Sequence, residues 1–183
     1  RITDEYIQAL RSIWTQPVAS FHGRFISFDG AEIFPKPLQK PHPPIWVGGW
    51  TPFSRDRAAK LGDGWIPGWL SPKEMKENVE ILRENARSLG RNPSEIQIAV
   101  EKWASIGTSK DEALRNARQT ITESLATYER DVNRFEQAEE RHLFGSPDDL
   151  VNRLNAFVDA GVEEFELKFI YPSLERLLEM MSL

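Results

Sequence analysis

The sequence predicts an α/β fold in which strand–helix units build a parallel sheet, amounting to half of a (β/α)8 barrel. Three observations predict it. Short apolar strands alternate with helical segments four times along the chain. Those four units fill 183 residues, whereas a closed barrel of eight needs about 250. The doubly wound alternative lacks its signature: no G-x-G-x-x-G follows the first strand, and no acidic residue stands where a ribose would need one.

Each element has a local reason. Residues 4–15 place Tyr6, Ile7, Leu10, Ile13 and Trp14 at helical spacing, and Pro17 stops that helix. The run FHGRFISFDGAEIF sets β-favouring aromatics and isoleucines on both sides of Asp29-Gly30, which predicts a hairpin turning there. PKPLQKPHPP carries five prolines in ten residues and reads as an extended connector. Ile45, Trp46 and Val47 form the first buried strand, ended by Gly48 and Gly49. Thr51 caps the next helix, with Pro52 in its first position and Gly62 at its end. Residues 64–67 form a second strand, and Ser71 with Glu74 makes a capping box for a helix reaching Leu89 and Gly90. The third strand covers residues 95–104. Ser109 with Glu112 opens a charged helix running to about residue 141, and Ser146-Pro147 opens another that ends at Gly161. Residues 163–170 form the fourth strand, and residues 172–181 a closing helix.

Composition narrows the function classes. Hydrophobic residues at 40% and charged residues at 28% are ordinary for a globular protein, and no linker-like stretch divides residues 1–183, so one domain is expected. A formal charge of -5 argues against a nucleic-acid partner, which requires a basic face. No apolar run approaches the ~20 residues of a membrane span. There is no secretory signal and no cysteine, so a cytoplasmic location is expected and thiolate chemistry is absent. Six tryptophans suit a packed barrel or a stacking surface. The chain opens on Arg1 and enters a helix at once, which reads as a processed start or a piece of a longer protein.

The chemistry concentrates in PPIWVGGWTPFSRDRAAKLGDGWIP, residues 43–67. A strand ends in two glycines, which permit close ligand approach or positive φ. A helix follows directly, and its N-terminus offers unpaired N–H groups and partial positive charge. Arg55 and Arg57, in the first two turns, are placed to add charge. The segment is thus either a phosphate cradle on the C-terminal rim of a barrel or an ordinary strand–turn–helix junction.

PKPLQKPHPPIWVGG followed by AAKLGDGW resembles the sequence around the fifth strand of the luciferase-like monooxygenase family, above all its 8-hydroxy-5-deazaflavin branch. WTQPVASFHGRF is similar to the segment before that strand, and GSPDDLVNRLNAFVDAGVEEFEL to the last helix and eighth strand. The resemblance covers essentially the whole chain. It implies a TIM-type barrel of which this chain is the C-terminal half, strands five to eight with their helices. It also implies that the cofactor's phosphate-bearing tail, of coenzyme F420 or FMN, is held by Gly48, Gly49, Trp50 and Thr51, with Ser54. Strands one to four, which carry most acid/base candidates, would precede this chain, so no catalytic residue is assigned. The function implied is a flavin- or deazaflavin-dependent oxidoreductase, of the monooxygenase or hydride-transfer class, acting on a small molecule and here truncated. Two alternatives remain: a catalytically silent half-barrel that pairs as a homodimer through its open sheet edges, and a flavoprotein that only binds.

Other candidates weigh less. His22 and His42 read as surface or packing residues, and His142, beside Glu139, Glu140 and Arg141, as solvated. Three scattered histidines make no metal site. In the third strand Gln97, Ala99, Glu101 and Trp103 share one face, and Ile96, Ile98, Val100 and Lys102 the other. In the fourth, Phe165, Leu167 and Phe169 oppose Glu166 and Lys168. Glu101, Glu166 and Lys168 therefore either face a polar substrate cavity, pair among themselves, or stand exposed because the half-barrel is open. On the charged helix, Leu114, Ala117, Ile121, Leu125, Tyr128, Val132 and Phe135 make an apolar stripe that requires a partner.

Overall fold

The computed structural model describes residues 1–127, 135–171 and 173–182. Helix α1 (Ile2–Thr15) is followed by a two-stranded antiparallel ribbon, β1 (Ala19–His22) and β2 (Ser27–Ala31). The connector leads to β3 (Trp46–Gly48), α2 (Pro52–Leu61), β4 (Gly64–Ile66), α3 (Pro72–Ser88) and the long β5 (Gln97–Ile106). Then come α4 (Lys110–Thr127), α5 (Phe135–Arg141), β6 (Leu143–Gly145), α6 (Pro147–Asp159), β7 (Glu164–Phe169) and α7 (Leu174–Met181).

The four expected strands are β3, β4, β5 and β7, and they pair in that order, all parallel. Short β6 was not anticipated; it pairs with the C-terminal end of β5. Ala104 pairs with Leu143 of β6 and with Phe169 of β7, so those two strands lie on opposite sides of β5. Parallel strands end on one side, and that rim collects the segments after β3, β4, β5 and β7.

The core lies between the outer face of the sheet and helices α2, α3 and α6. Val47, Trp65, Ile98 and Val100 meet Ala58, Leu61, Met75, Val79, Leu82, Leu150 and Phe157 there. Burying side chains of this size stabilises by roughly 1.5–3 kcal/mol each. The caps form as the sequence requires: Thr51 accepts from the Ser54 N–H, and Ser71 with Glu74 and Ser146 with Asp149 form reciprocal capping boxes. The last carbonyls of α2 are taken by the Arg91 guanidinium, which donates to Ala58, Ala59 and Gly62.

Two expectations about local structure are corrected. The hairpin exists, but the chain reverses at residues 23–26, where the Glu5 carboxylate of α1 accepts the N–H groups of Phe25 (2.7 Å) and Ile26 (3.2 Å). Asp29 and Gly30 lie inside β2 at a break in register, with Gly30 at φ 62°, so the Asp-Gly pair makes a bulge. The third strand begins two residues later than expected, after a single 3₁₀ turn over Pro93–Glu95, and continues to Ile106. The charged stretch is helical over α4 and α5; the side chains of Leu125, Tyr128, Val132 and Phe135 in its expected stripe lie outside the described residues.

Candidate functional site

The turn after β3 combines a left-handed glycine with a capped helix start. Gly49 has φ 107°, a conformation that a side chain strains, and a Cβ there would also lie 3.2 Å from the Ser54 hydroxyl. Its N–H donates to Ile66 O of β4, and its carbonyl accepts from the Trp65 indole N–H at 2.9 Å. The turn is therefore stitched to β4 on both sides. Gly48 differs: a Cβ built there meets nothing within 4 Å, so the space beside it is open.

The five expected cradle residues come together but do different things. Thr51 is the N-cap of α2. Ser54 is buried and its hydroxyl donates to Thr51 O at 2.8 Å, so it braces the turn from beneath. Trp50 is partly exposed at the turn's tip. The N–H groups of Thr51 and Phe53 have no hydrogen-bond partner among the described residues. A helix start with open N–H groups carries partial positive charge. The two arginines do not reinforce it. Arg55 is held by Asp56 and Asn78, and Arg57 by Asp4 at 2.6 Å. Whatever positive field the turn has comes from the backbone.

The inner face of the sheet leads away from this turn. Trp46 lies across Gly64, where a Cβ would fall 2.3 Å from the indole. Beyond, Trp46, Ile66, Ala99, Glu164, Phe165 and Glu166 line a cavity of about 270 Å³. Lys168 ties the strand charges together at this cavity: its ammonium pairs with Glu101 at 2.7 Å and Glu166 at 3.8 Å, all three half exposed. Glu101 and Glu166 are register partners, as are Trp103 and Lys168, so the charged patch and an indole sit side by side. Trp103 packs edge-on to Trp69, which follows β4 (5.9 Å, 80°).

The solvated reading of His142 is overturned. The ring is 3% exposed, stacked on Trp103 (4.8 Å, 17°) and edge-on to Trp69 (5.0 Å, 68°). Burial, with Lys102 and Arg141 nearby, pushes its pKa down to about 2, so the ring is neutral. Its Nδ1 accepts the Trp103 N–H, which leaves the proton on Nε2. His22 lies exposed beside Asp29, and His42 packs on Trp14. Trp69 and Lys102 escaped the sequence reading as parts of the rim; the only signal was the G-W-L that follows the second strand.

Comparison with known proteins decides the lineage. The sequence profile of the luciferase-like monooxygenases matches residues 1–164. The chain belongs to the luciferase-like monooxygenase family. It is 35% identical to an FMNH(2)-dependent dimethylsulfone monooxygenase of Pseudomonas putida over 62% of this chain and 30% of that one. With the protein of the same name from Pseudomonas fluorescens (strain Pf0-1) identity is 25%, over 89% and 50%. Among solved structures, an F420-dependent secondary alcohol dehydrogenase superposes with a TM-score of 0.82 at 19% identity, covering 98% of this chain and 58% of that one. A long-chain alkane monooxygenase superposes with a TM-score of 0.76 at 18% identity, covering 100% and 54%. The luciferase-like chain thus has the fold of half a TIM-type barrel and spans about half the length of these solved relatives. Among its described residues, no helix is long and apolar enough to cross a membrane.

Proposed function

We propose that this chain carries the phosphate-binding side of a flavin or deazaflavin site, for FMN or coenzyme F420, in an oxidoreductase acting on small molecules. The observation that carries the reading is Gly49 at φ 107°, which turns the chain from β3 into α2 beside the open space at Gly48. A phosphate fits this turn because it accepts from backbone N–H groups, here those of Thr51 and Phe53, and is favoured by the α2 dipole. Trp50 flanks the entry, Thr51 holds the cap, and Ser54 keeps the turn rigid from below. When bound, a reduced flavin or deazaflavin supplies the hydride or oxygen chemistry, and the protein contributes binding, orientation and exclusion of water. The names of the relatives support both cofactors, since the sulfone monooxygenases are FMNH(2)-dependent and the alcohol dehydrogenase F420-dependent.

The test is titration of FMN and of coenzyme F420 into the purified protein, followed by ligand fluorescence. Saturable binding of either is expected, weakened roughly tenfold or more by Gly49→Val, which strains the turn at φ 107°, or by Thr51→Val, which removes the hydroxyl that caps α2. Full-strength binding by both variants would place the phosphate elsewhere.

A second reading, self-association as a homodimer, has its own support. Strand β3 pairs only with β4, and β7 only with β5, so both borders of the sheet are open among the described residues. Apolar side chains stand exposed at i, i+4 spacing on α1 (Ile2, Tyr6, Leu10) and on α7 (Leu174, Leu178). Sedimentation of the same sample tests this: a concentration-independent monomer removes the homodimer.

A further inference from the structure

We propose that Lys102 is a positioning residue for the rim: its buried ammonium holds residues 68–70 and through them sets Trp69 against Trp103. The side chain is fully buried on the helix-facing side of β5. Its Nζ donates to Gly68 O and Leu70 O, each at 2.8 Å, and lies 4.6 Å from the centre of the Phe157 ring. Two carbonyls and an aromatic face thus occupy the three N–H directions of the ammonium. An apolar side chain of the same length would fill that core space without the cost of burying a charge. What the ammonium adds is a grip on two backbone carbonyls.

That grip matters because residues 68–70 make no backbone–backbone hydrogen bond of their own among the described residues. The next residue along β5, Trp103, points to the opposite face and meets the Trp69 ring. Positions 102 and 103 therefore hold one loop from the two sides of the sheet. The charge is also poised. Burial, with Arg141 adding to it, lowers the Lys102 pKa to about 7, against the pull of Glu74 on α3 and Glu101 on β5; Arg153 on α6 acts with Arg141. The neutral ring of His142 does not titrate in that range. Below the midpoint the grip is charge-assisted, and above it the loop is held by an amine. The inference rests on the cofactor reading only where ligand binding is measured.

The experiment is fluorine NMR of the protein labelled with 5-fluorotryptophan, from pH 6 to 8.5, with Trp69 and Trp103 assigned by Trp→Phe substitution. Both resonances are expected to move with a midpoint near 7, and to stop moving in Lys102→Met. A Trp69 resonance that is constant with pH and unchanged in Lys102→Met overturns the proposal. If Lys102→Met does not fold, the titration of the unmodified protein decides alone. In the ligand arm, Lys102→Met is expected to weaken FMN binding several-fold, and to have no further effect in a Trp69→Ala background. Equal losses in both backgrounds overturn the proposal, because Lys102 would then act on the fold at large. A titrating Trp69 in a protein that binds no FMN supports the positioning role and removes the cofactor reading instead.

Discussion

The side chain of His142 completes the β5 hydrogen-bond ladder at Trp103. Along that border the Glu101 N–H donates to Pro67 O beyond β4, and Ala104 pairs with Leu143 of β6. Between them the Trp103 N–H meets neither strand and donates to His142 Nδ1 at 3.1 Å. An imidazole stands where a strand carbonyl would, and stacks on the indole of the residue whose amide it satisfies. Among the described residues its Nε2 is buried without a partner, so the contacts that hold the ring are its acceptor and its flat face.

His142 predicts an acid-sensitive fold. Its pKa is about 2 when folded and near 6.5 when unfolded, so the unfolded chain binds the extra proton between those values. The stability it confers is full above 6.5 and declines as pH falls, by up to ~1.4 kcal/mol per unit. Urea melts from pH 7 to 4.5 should show this slope in the native protein and a shallower one in His142→Gln. Identical acid limbs would remove His142 as the cause.

Lys102 predicts the opposite limb. With a folded pKa of about 7 against 10.5, the unfolded chain again binds more protons, now above neutrality. Unfolding free energy should therefore rise with pH from about 7 upward, by up to ~1.4 kcal/mol per unit from this group. Lys102→Met should be the more stable protein at pH 6 and lose that rise; a rise that survives the substitution assigns it to other groups.

Gly64 and Gly48 separate fold from binding. Gly64→Ala drives a methyl into the Trp46 indole and should cost about 1–3 kcal/mol in a denaturant melt. Gly48→Ala meets only open space, so stability should stay within ~0.5 kcal/mol. If the phosphate lies beside Gly48, the same methyl weakens FMN or F420 binding. A stable Gly48→Ala protein with undiminished affinity would move the ligand off this turn.

Ser146→Ala should cost about 1 kcal/mol through loss of the α6 cap. Ser146→Thr, whose hydroxyl can still accept from the Asp149 N–H and donate to its carboxylate, should recover most of it; no difference between the two would show that the cap contributes little.

Elements whose signals are local form as the sequence predicts. Caps at Thr51, Ser71 and Ser146 depend on three or four consecutive residues, and each forms. Local signals lose where a distant group intervenes. Asp29-Gly30 is a fine turn pair in isolation, but Glu5 on α1 takes the amides of residues 25 and 26 and moves the reversal there. His142 follows three charged residues and looks solvated, yet the missing acceptor at Trp103, 39 positions upstream, draws it inside. Strand β6 has three residues, too few for any periodicity to register. At the rim, the glycines and Thr51 were legible, whereas the diversion of Arg55 to Asn78 and Arg57 to Asp4 depends on helix packing.

Strand β5 finds one of its partners late. Trp103 pairs with Lys168, some 65 residues further along the chain. At a synthesis rate of ~5–20 residues per second, that border of β5 leaves the ribosome roughly 3–13 s before β7 exists to cover it. Throughout that interval the strand offers the unpaired main-chain groups between Ala99 and Ala104 to any passing chaperone or neighbouring nascent chain. The yield of this protein in a cell should therefore depend on translation speed between codons 104 and 164, a dependence that the finished fold no longer displays.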